Sequence, residues 1–492
     1  MLRILRELRL TGAPRWFWLL VALALTAPFW SLSHPLIEVD DARYAEIPRE
    51  MVLGGDWATP HLNGFEYVEK PPLWYWLCAA SYSILGVNEA AARLPLALVS
   101  LLTLLGTAWL GSWLYDPRRG WTAAAILGSS LLFFGLSHCI TPDSGLALWL
   151  LWCTAFLLRG LLRPEDAGWA APAAWACAAL AFLSKGLVGL VFPAAWASLA
   201  LLDRELRPRL RAFLRPAGPL LFLLIAAPWF LVMEHRHPGF LRFFFYEHHV
   251  LRFATQKFGR DQPWFFYLLV LPAAFLPWTP AGAAALARVL PEWRGGDRRS
   301  AALAAWVVLV TAFFSKSHSK LITYILPVFP HLALLAAGTL GRDGPRWAKR
   351  SLPAGVLGGL LVGALGLLAL RAAAPLISAR DVAAEIASRR GPDDLVYTYS
   401  TYLHGLPFYT GRRVDKMILW QGELEYAARD PRVHEERFGG HSGTNHIRAL
   451  PLPGRRVWVV CRRRDAAYLL SLLPPEKASL VRDFGRWVLA AY

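Results

Sequence analysis

Residues 38–76, EVDDARYAEIPREMVLGGDWATPHLNGFEYVEKPPLWYW, crowd acids, bases, an amide and aromatics into one short stretch. Asp40 and Asp41 come first, and Arg43, Glu46, Ile47, Glu50 and Met51 follow at helical spacing. Asn63, Glu69 and Lys70 complete the set. A carboxylate can take a proton or orient a nucleophile. A lysine before a rigid Pro-Pro can hold a phosphate at the depth of the lipid headgroups, or simply snorkel there. An interfacial anchor with solvated charges would need fewer of these groups. Ionisable side chains are costly near lipid, so the cluster is a candidate site.

Further candidates lie along the chain. Asp143, in HCITPDSG, falls where a span re-enters the bilayer; it could line a cavity or cap the next helix. Lys185 sits in a turn that Gly186 permits, and a snorkelling role is open to it. Arg242, Arg252, Lys257 and Arg260 suit contacts to anionic headgroups or phosphates. His235, His237, His248 and His249 lack a carboxylate partner pattern and are not read as a metal site. Lys316, His318, Lys320 and Tyr324, in SKSHSKLITYILP, suit a phosphate pocket at the mouth of a span.

The elements that must position these groups are membrane helices. Of 492 residues 55% are hydrophobic, only 18% are charged and 23 are Trp; mean hydropathy is +0.36. Apolar runs of spanning length recur, so the chain reads as a mainly α polytopic membrane protein. Expected spans are 16–33, 90–114, 120–137, 144–161, 168–183, 187–202, 217–233, 264–288, 301–315, 321–340 and 353–373, eleven in all. The run 73–87 is short and is placed in the interface. With that choice every strongly basic loop falls on one side, which predicts a cytoplasmic N-terminus and an extracytoplasmic C-terminus. The first apolar run, without a small-residue cleavage site, is expected to be a retained signal anchor.

The net charge of +17 therefore reports topology, not nucleic-acid binding. The five Cys form no CxxC pair, so no metal cluster or disulfide framework is indicated. A catalytic region is expected over 1–374, including the loop 34–89. A small α/β extracytoplasmic domain is expected over 375–492, with DVAAEIASRR helical and DLVYTYS and RRVWVVC as strands.

The loop pattern D-x-x-RYAEI-x-REM, GDW, L-N-G and EKPP-x-x-YW resembles the polyprenyl-phosphate-dependent GT-C glycosyltransferases. Within that superfamily it is most like the transferases that add 4-amino-4-deoxy-L-arabinose to lipid A. PD at 142–143, SKG at 184–186, EHHVLRFA at 247–254, PWFFY at 263–267 and K-x-x-TYILP at 320–327 extend the likeness. The resemblance implies roles. Asp40 is the essential acid and Asp143 a second cavity acid. Arg43, Lys70, Arg252 and Tyr324 hold the lipid phosphate, with Lys320 beside them. Glu69 would bind a divalent metal (Zn, Mg or Mn), with His404 as its partner. The resemblance implies inverting transfer from an undecaprenyl-phosphate sugar to an acceptor such as lipid A, at a bacterial inner membrane. The chain departs from the family in span count, eleven against a usual thirteen, and in its tail motif. A related transferase moving mannose to protein or glycan is the alternative. A lipid-linked sugar transporter would show repeat halves and ionisable groups near mid-membrane, and neither is visible.

Overall fold

The computed structural model describes residues 6–254, 262–340 and 346–492, except 421, 425, 430, 440–442, 451, 453 and 474. Among these, seven helices are long and apolar enough to cross a membrane: Glu89–Leu114, Pro142–Leu162, Pro164–Lys185, Ala217–Arg236, Arg298–Lys316, Ile322–Thr339 and Ser351–Ala372. At 1.5 Å per residue each reaches ~27 Å or more, the thickness of the hydrocarbon layer. The bent pair Phe266–Ala274 and Thr279–Arg294 makes eight if it is one span. Arg15–Phe29, Leu73–Leu85 and Val188–Leu202 are shorter apolar helices.

Two expected spans are interrupted. The run 120–137 divides into Pro117–Gly128 and Leu131–Leu136. At the break Ser129 and Ser130 turn their hydroxyls onto the carbonyls of Ala125 (2.6 Å) and Leu127 (2.8 Å), competing with the helical ladder. The run 264–288 bends by 119° between Ala274 and Thr279. Pro277, with no N–H to donate, lies at the bend.

The chain divides into two compact units. The first comprises residues 1–31, 70–74 and 94–366. Its helices Pro142–Leu162 and Ala167–Lys185 are joined by a short turn and run back to back. At one end of this pair the buried Arg159 bonds Glu7 (2.8 Å) and Asp166 (2.6 Å). At the other end the chain reverses at Gly186, which has φ +85°. A Cβ there would lie 2.4 Å from the His249 ring, so both backbone and space require glycine.

The second unit comprises residues 32–69, 75–93 and 367–492. The loop of the expected site thus groups with the tail. Its helix Asp40–Gly54 has Asp40 and Asp41 in the first turn, where the helix dipole favours acids, and it continues through Pro48. A short hairpin, β1 (His61–Leu62) with β2 (Phe65–Glu66), follows. The tail forms a mixed five-stranded sheet from β3 (Leu395–Tyr399), β4 (Lys416–Ile418), β5 (Val457–Arg462), β6 (Leu480–Phe484) and β7 (Trp487–Ala491), in the order β4-β3-β5-β7-β6. β3 runs parallel to β4 and β5; β7 is antiparallel to β5 and β6. The helix Arg380–Arg389 precedes β3, as the sequence predicts.

Candidate functional site

Arg43 is the centre of the charged cluster in the second unit. One turn along the helix, its guanidinium ion-pairs with Asp40. Nη1 also donates to Glu423 Oε1 at 2.7 Å. The rings of Tyr44 and Tyr67 lie 4.9 and 5.9 Å from the guanidinium. Arg43 is buried, whereas the Asp40 side chain is 47% exposed. The acid is accessible and the cation that orients it is enclosed.

The tail supplies the rest of this cluster. His404 Nε2 meets Glu423 Oε1 at 2.5 Å, and Nδ1 lies 3.4 Å from Glu38 Oε2. Glu38 also accepts the backbone N–H groups of His404 (2.8 Å) and Gly405 (2.7 Å). Asn63 makes a two-way amide bond with Val414, at 2.9 and 2.8 Å, and Arg413 reaches Glu50 at 3.1 Å. The loop is therefore fastened to the tail through four of its residues, Glu38, Arg43, Glu50 and Asn63, by ion pairs and by bonds to backbone.

Burial opposes the charge on His404, but Glu423 and Glu38 outweigh it and raise its pKa to about 9. Burial likewise pushes Glu423 up, but His404 and Arg43 carry it well below the usual carboxylate range. The sign for stability follows. The folded value of His404 lies above the ordinary ~6.5, so its stabilisation is complete below that pH and is lost as pH rises towards 9. The effect is on the order of 3 kcal/mol. Unfolding of the detergent-solubilised protein from pH 6 to 10 should show wild type losing its advantage over His404→Gln across pH 6.5–9. A pH-independent gap would mean that the imidazole is not charged.

The residues present do not fit the divalent ion expected at Glu69 and His404. Both His404 nitrogens face Glu423 and Glu38, while Glu69 Oε2 accepts the Tyr67 hydroxyl at 3.2 Å. Among the described residues no group of three His, Cys, Asp or Glu is placed to hold a metal.

The first unit holds a second constellation around a cavity of about 300 Å³. Lys70, Lys185, His248, His249 and Tyr324 line it with Val188, Val191, Phe253, Phe313 and Phe314. Lys70 Nζ lies 3.0 Å from His248 Nε2. Lys185 ion-pairs with Asp143 and stands 4.0 Å over the Tyr324 ring. Asp143 sits in the first turn of its helix behind Thr141, which occupies the cap position. Cations beside apolar walls suit an anionic head with a hydrocarbon tail.

Of the expected residues, Lys70 and Tyr324 share this cavity, and Asp143 reaches it through Lys185. Asp40 and Arg43 form a pair in the other unit. Lys320 is buried and donates to the carbonyls of Gln262 (2.7 Å) and Ser317 (2.5 Å), so it ties a turn. Lys257, Arg260 and the side chain of Arg252 lie outside the described residues. Sequence reasoning missed Glu423, which has no local motif and is defined by a partner 380 residues away. It gave Lys185 and His248 no site role, although a Lys at the end of an apolar helix was a usable signal.

The family described as dolichyl-phosphate-mannose-protein mannosyltransferase matches residues 69–231. The undecaprenyl phosphate-alpha-4-amino-4-deoxy-L-arabinose arabinosyl transferase of Pseudomonas paraeruginosa is 34% identical over 372 residues, 73% of this chain and 65% of the relative. That of Aeromonas salmonicida is 34% identical over 354 residues, 68% of this chain and 63% of the relative. The chain thus spans just under two thirds of these relatives' length. The crystal structure of ArnT from Cupriavidus metallidurans bound to undecaprenyl phosphate superposes with TM-score 0.82 at 27% identity, over 98% of both chains. An oligosaccharyltransferase of Archaeoglobus fulgidus shares the fold at TM-score 0.56 and 12% identity, over 93% of this chain and 71% of that one.

The chain is similar to membrane glycosyltransferases in sequence and in solved structure. Among those, the likeness covers the aminoarabinose transferases over 73% of this chain in sequence and the ArnT structure over 98% of it.

Proposed function

We propose that this protein transfers 4-amino-4-deoxy-L-arabinose from undecaprenyl phosphate to an extracytoplasmic acceptor, lipid A. The observation that carries the reading is the cavity that joins Lys70, Lys185 and His248 to apolar walls. The likeness over nearly the whole chain to a structure holding undecaprenyl phosphate supports it.

In this reading the acceptor oxygen attacks the anomeric carbon as the bond to the phosphate oxygen breaks, and the electron pair leaves with the phosphate. Direct displacement inverts the anomeric centre. The developing negative charge is met by the cavity's fixed cations, Lys70 and Lys185. Asp143 positions Lys185. If the acceptor is a hydroxyl, Asp40 takes its proton; if it is a lipid A phosphate, already ionised, Asp40 orients it.

The proposed topology has eleven spans in an inner membrane, the N-terminus cytoplasmic and a periplasmic α/β domain over 375–492. Seven long helices, the bent pair, Arg15–Phe29, Val188–Leu202 and the broken run 117–136 support that count. The basic loops on one side support the orientation.

The test is transfer by purified protein from synthetic undecaprenyl-phosphate aminoarabinose to lipid A, read by mass spectrometry. Transfer only from a mannosyl donor would favour the protein mannosyltransferase reading that the family match allows. Lys70→Met should raise the KM for donor by roughly 10–100-fold, the worth of one hydrogen bond to a charged group. An unchanged KM with a lowered melting temperature would reduce Lys70 to a packing role.

A further inference from the structure

The helix pair Pro142–Leu162 and Ala167–Lys185 has its donor-cavity groups, Asp143 and Lys185, at one end. A second cavity, of about 650 Å³, opens beside the same pair towards the other end, where Leu157 and Trp175 line it. A helix of 21 residues is ~30 Å long, so the two ends lie about a bilayer's thickness apart. The volume falls within the ~300–1,000 Å³ of ligand sites. Its walls are apolar, formed by Leu157, Ala178, Leu190, Ala194 and their neighbours, while Arg207 and Arg211 line its rim.

The rim is built, not merely basic. Residues Arg207–Ala212 form a 3-10 turn, fixed from below at two points. Arg209 Nη1 donates to the Leu161 carbonyl at 2.7 Å. Trp175 Nε1 donates to the Phe213 carbonyl at 2.7 Å, and the Phe213 ring is buried against Gly160, where a Cβ would lie 2.6 Å from it. One arginine of the three is consumed in anchoring the turn. Arg207 and Arg211 are exposed at the cavity and make no ion pair among the described residues. Two spare cations at the end of an apolar cleft in a membrane protein complement an anionic head with an acyl chain.

We propose that this cleft binds an anionic phospholipid of the bilayer, its acyl chain between the helices and its phosphate on Arg207 and Arg211. The site is separate from the donor cavity. It would fasten the 203–216 segment to one leaflet and so make that part of the fold sensitive to lipid composition.

The experiment is native mass spectrometry of the full chain, delipidated in detergent and titrated with phosphatidylglycerol or phosphatidylcholine of identical acyl chains. Wild type should retain phosphatidylglycerol at least fivefold more than phosphatidylcholine. Arg207→Gln/Arg211→Gln, both exposed and outside the proposed transfer site, should abolish the preference and leave melting in detergent unchanged. Ala194→Trp, which fills the cleft, should lower retention of both lipids. Equal retention of the two lipids by wild type would overturn the proposal, as would an undiminished preference in the double variant. Retention that undecaprenyl phosphate outcompetes at equal concentration would also overturn it, by assigning the cleft to a polyprenyl carrier.

Discussion

Asp40→Asn should abolish transfer while leaving the protein folded. The side chain is half exposed and its ion-pair partner is Arg43, which keeps Glu423 when the acid is lost. The structural cost is therefore small. A positioned acid–base group is commonly worth 10²–10⁴-fold, and the amide keeps the shape while losing both charge and basicity. The measurement is the single-turnover rate with saturating undecaprenyl-phosphate sugar, so that donor binding does not enter. A rate above about a tenth of wild type would remove Asp40 from the chemistry. The acceptor question is settled by the same variant: a hydroxyl acceptor should show the loss shrinking at high pH, whereas an ionised phosphate acceptor should show a pH-independent loss.

How much of this was legible in advance follows from the range of the interactions. The helix Asp40–Gly54 could be read because Arg43, Glu46, Ile47, Glu50 and Met51 recur at helical spacing. The tail strands β3 and β5 could be read because DLVYTYS and RRVWVVC are short β-rich runs. Lys70 and Tyr324, marked in sequence by a Pro-Pro and a span terminus, line one cavity in the structure. The breaks at Ser129–Ser130 and Pro277 were not, since hydropathy averages over a window and a single side chain competing for a carbonyl leaves the average unchanged. Lys320 shows a related limit: a cation at a span mouth looks the same in sequence whether it faces a phosphate or, as here, the carbonyls of Gln262 and Ser317. Glu423 was beyond reach, because only the fold brings the tail to Arg43.

Arg93 is the other side chain whose weight appears only in the folded unit. It reads as one base in an otherwise apolar run, AAARLPLAL. In the structure its side chain is 1% exposed and pairs with Asp41, which is wholly buried, at 2.5 Å. It also donates to the carbonyls of Leu32 (3.1 Å), His34 (2.5 Å) and Pro35 (3.2 Å), which lead the chain into the helix that carries Asp40. Arg93→Met should therefore cost about 3–5 kcal/mol, the penalty for leaving a buried charge unpaired, and should lower both yield and melting temperature in detergent. Arg93→Met/Asp41→Leu removes the stranded carboxylate and should recover part of that loss. Recovery must be incomplete, because the Ile37 N–H that Asp41 accepts at 3.0 Å and the three carbonyls then lose their partners. A double variant no better than the single one would mean that the carbonyl bonds, not the ion pair, carry the stability. A single variant melting with wild type would mean that the approach to Asp40 is held by the tail contacts alone.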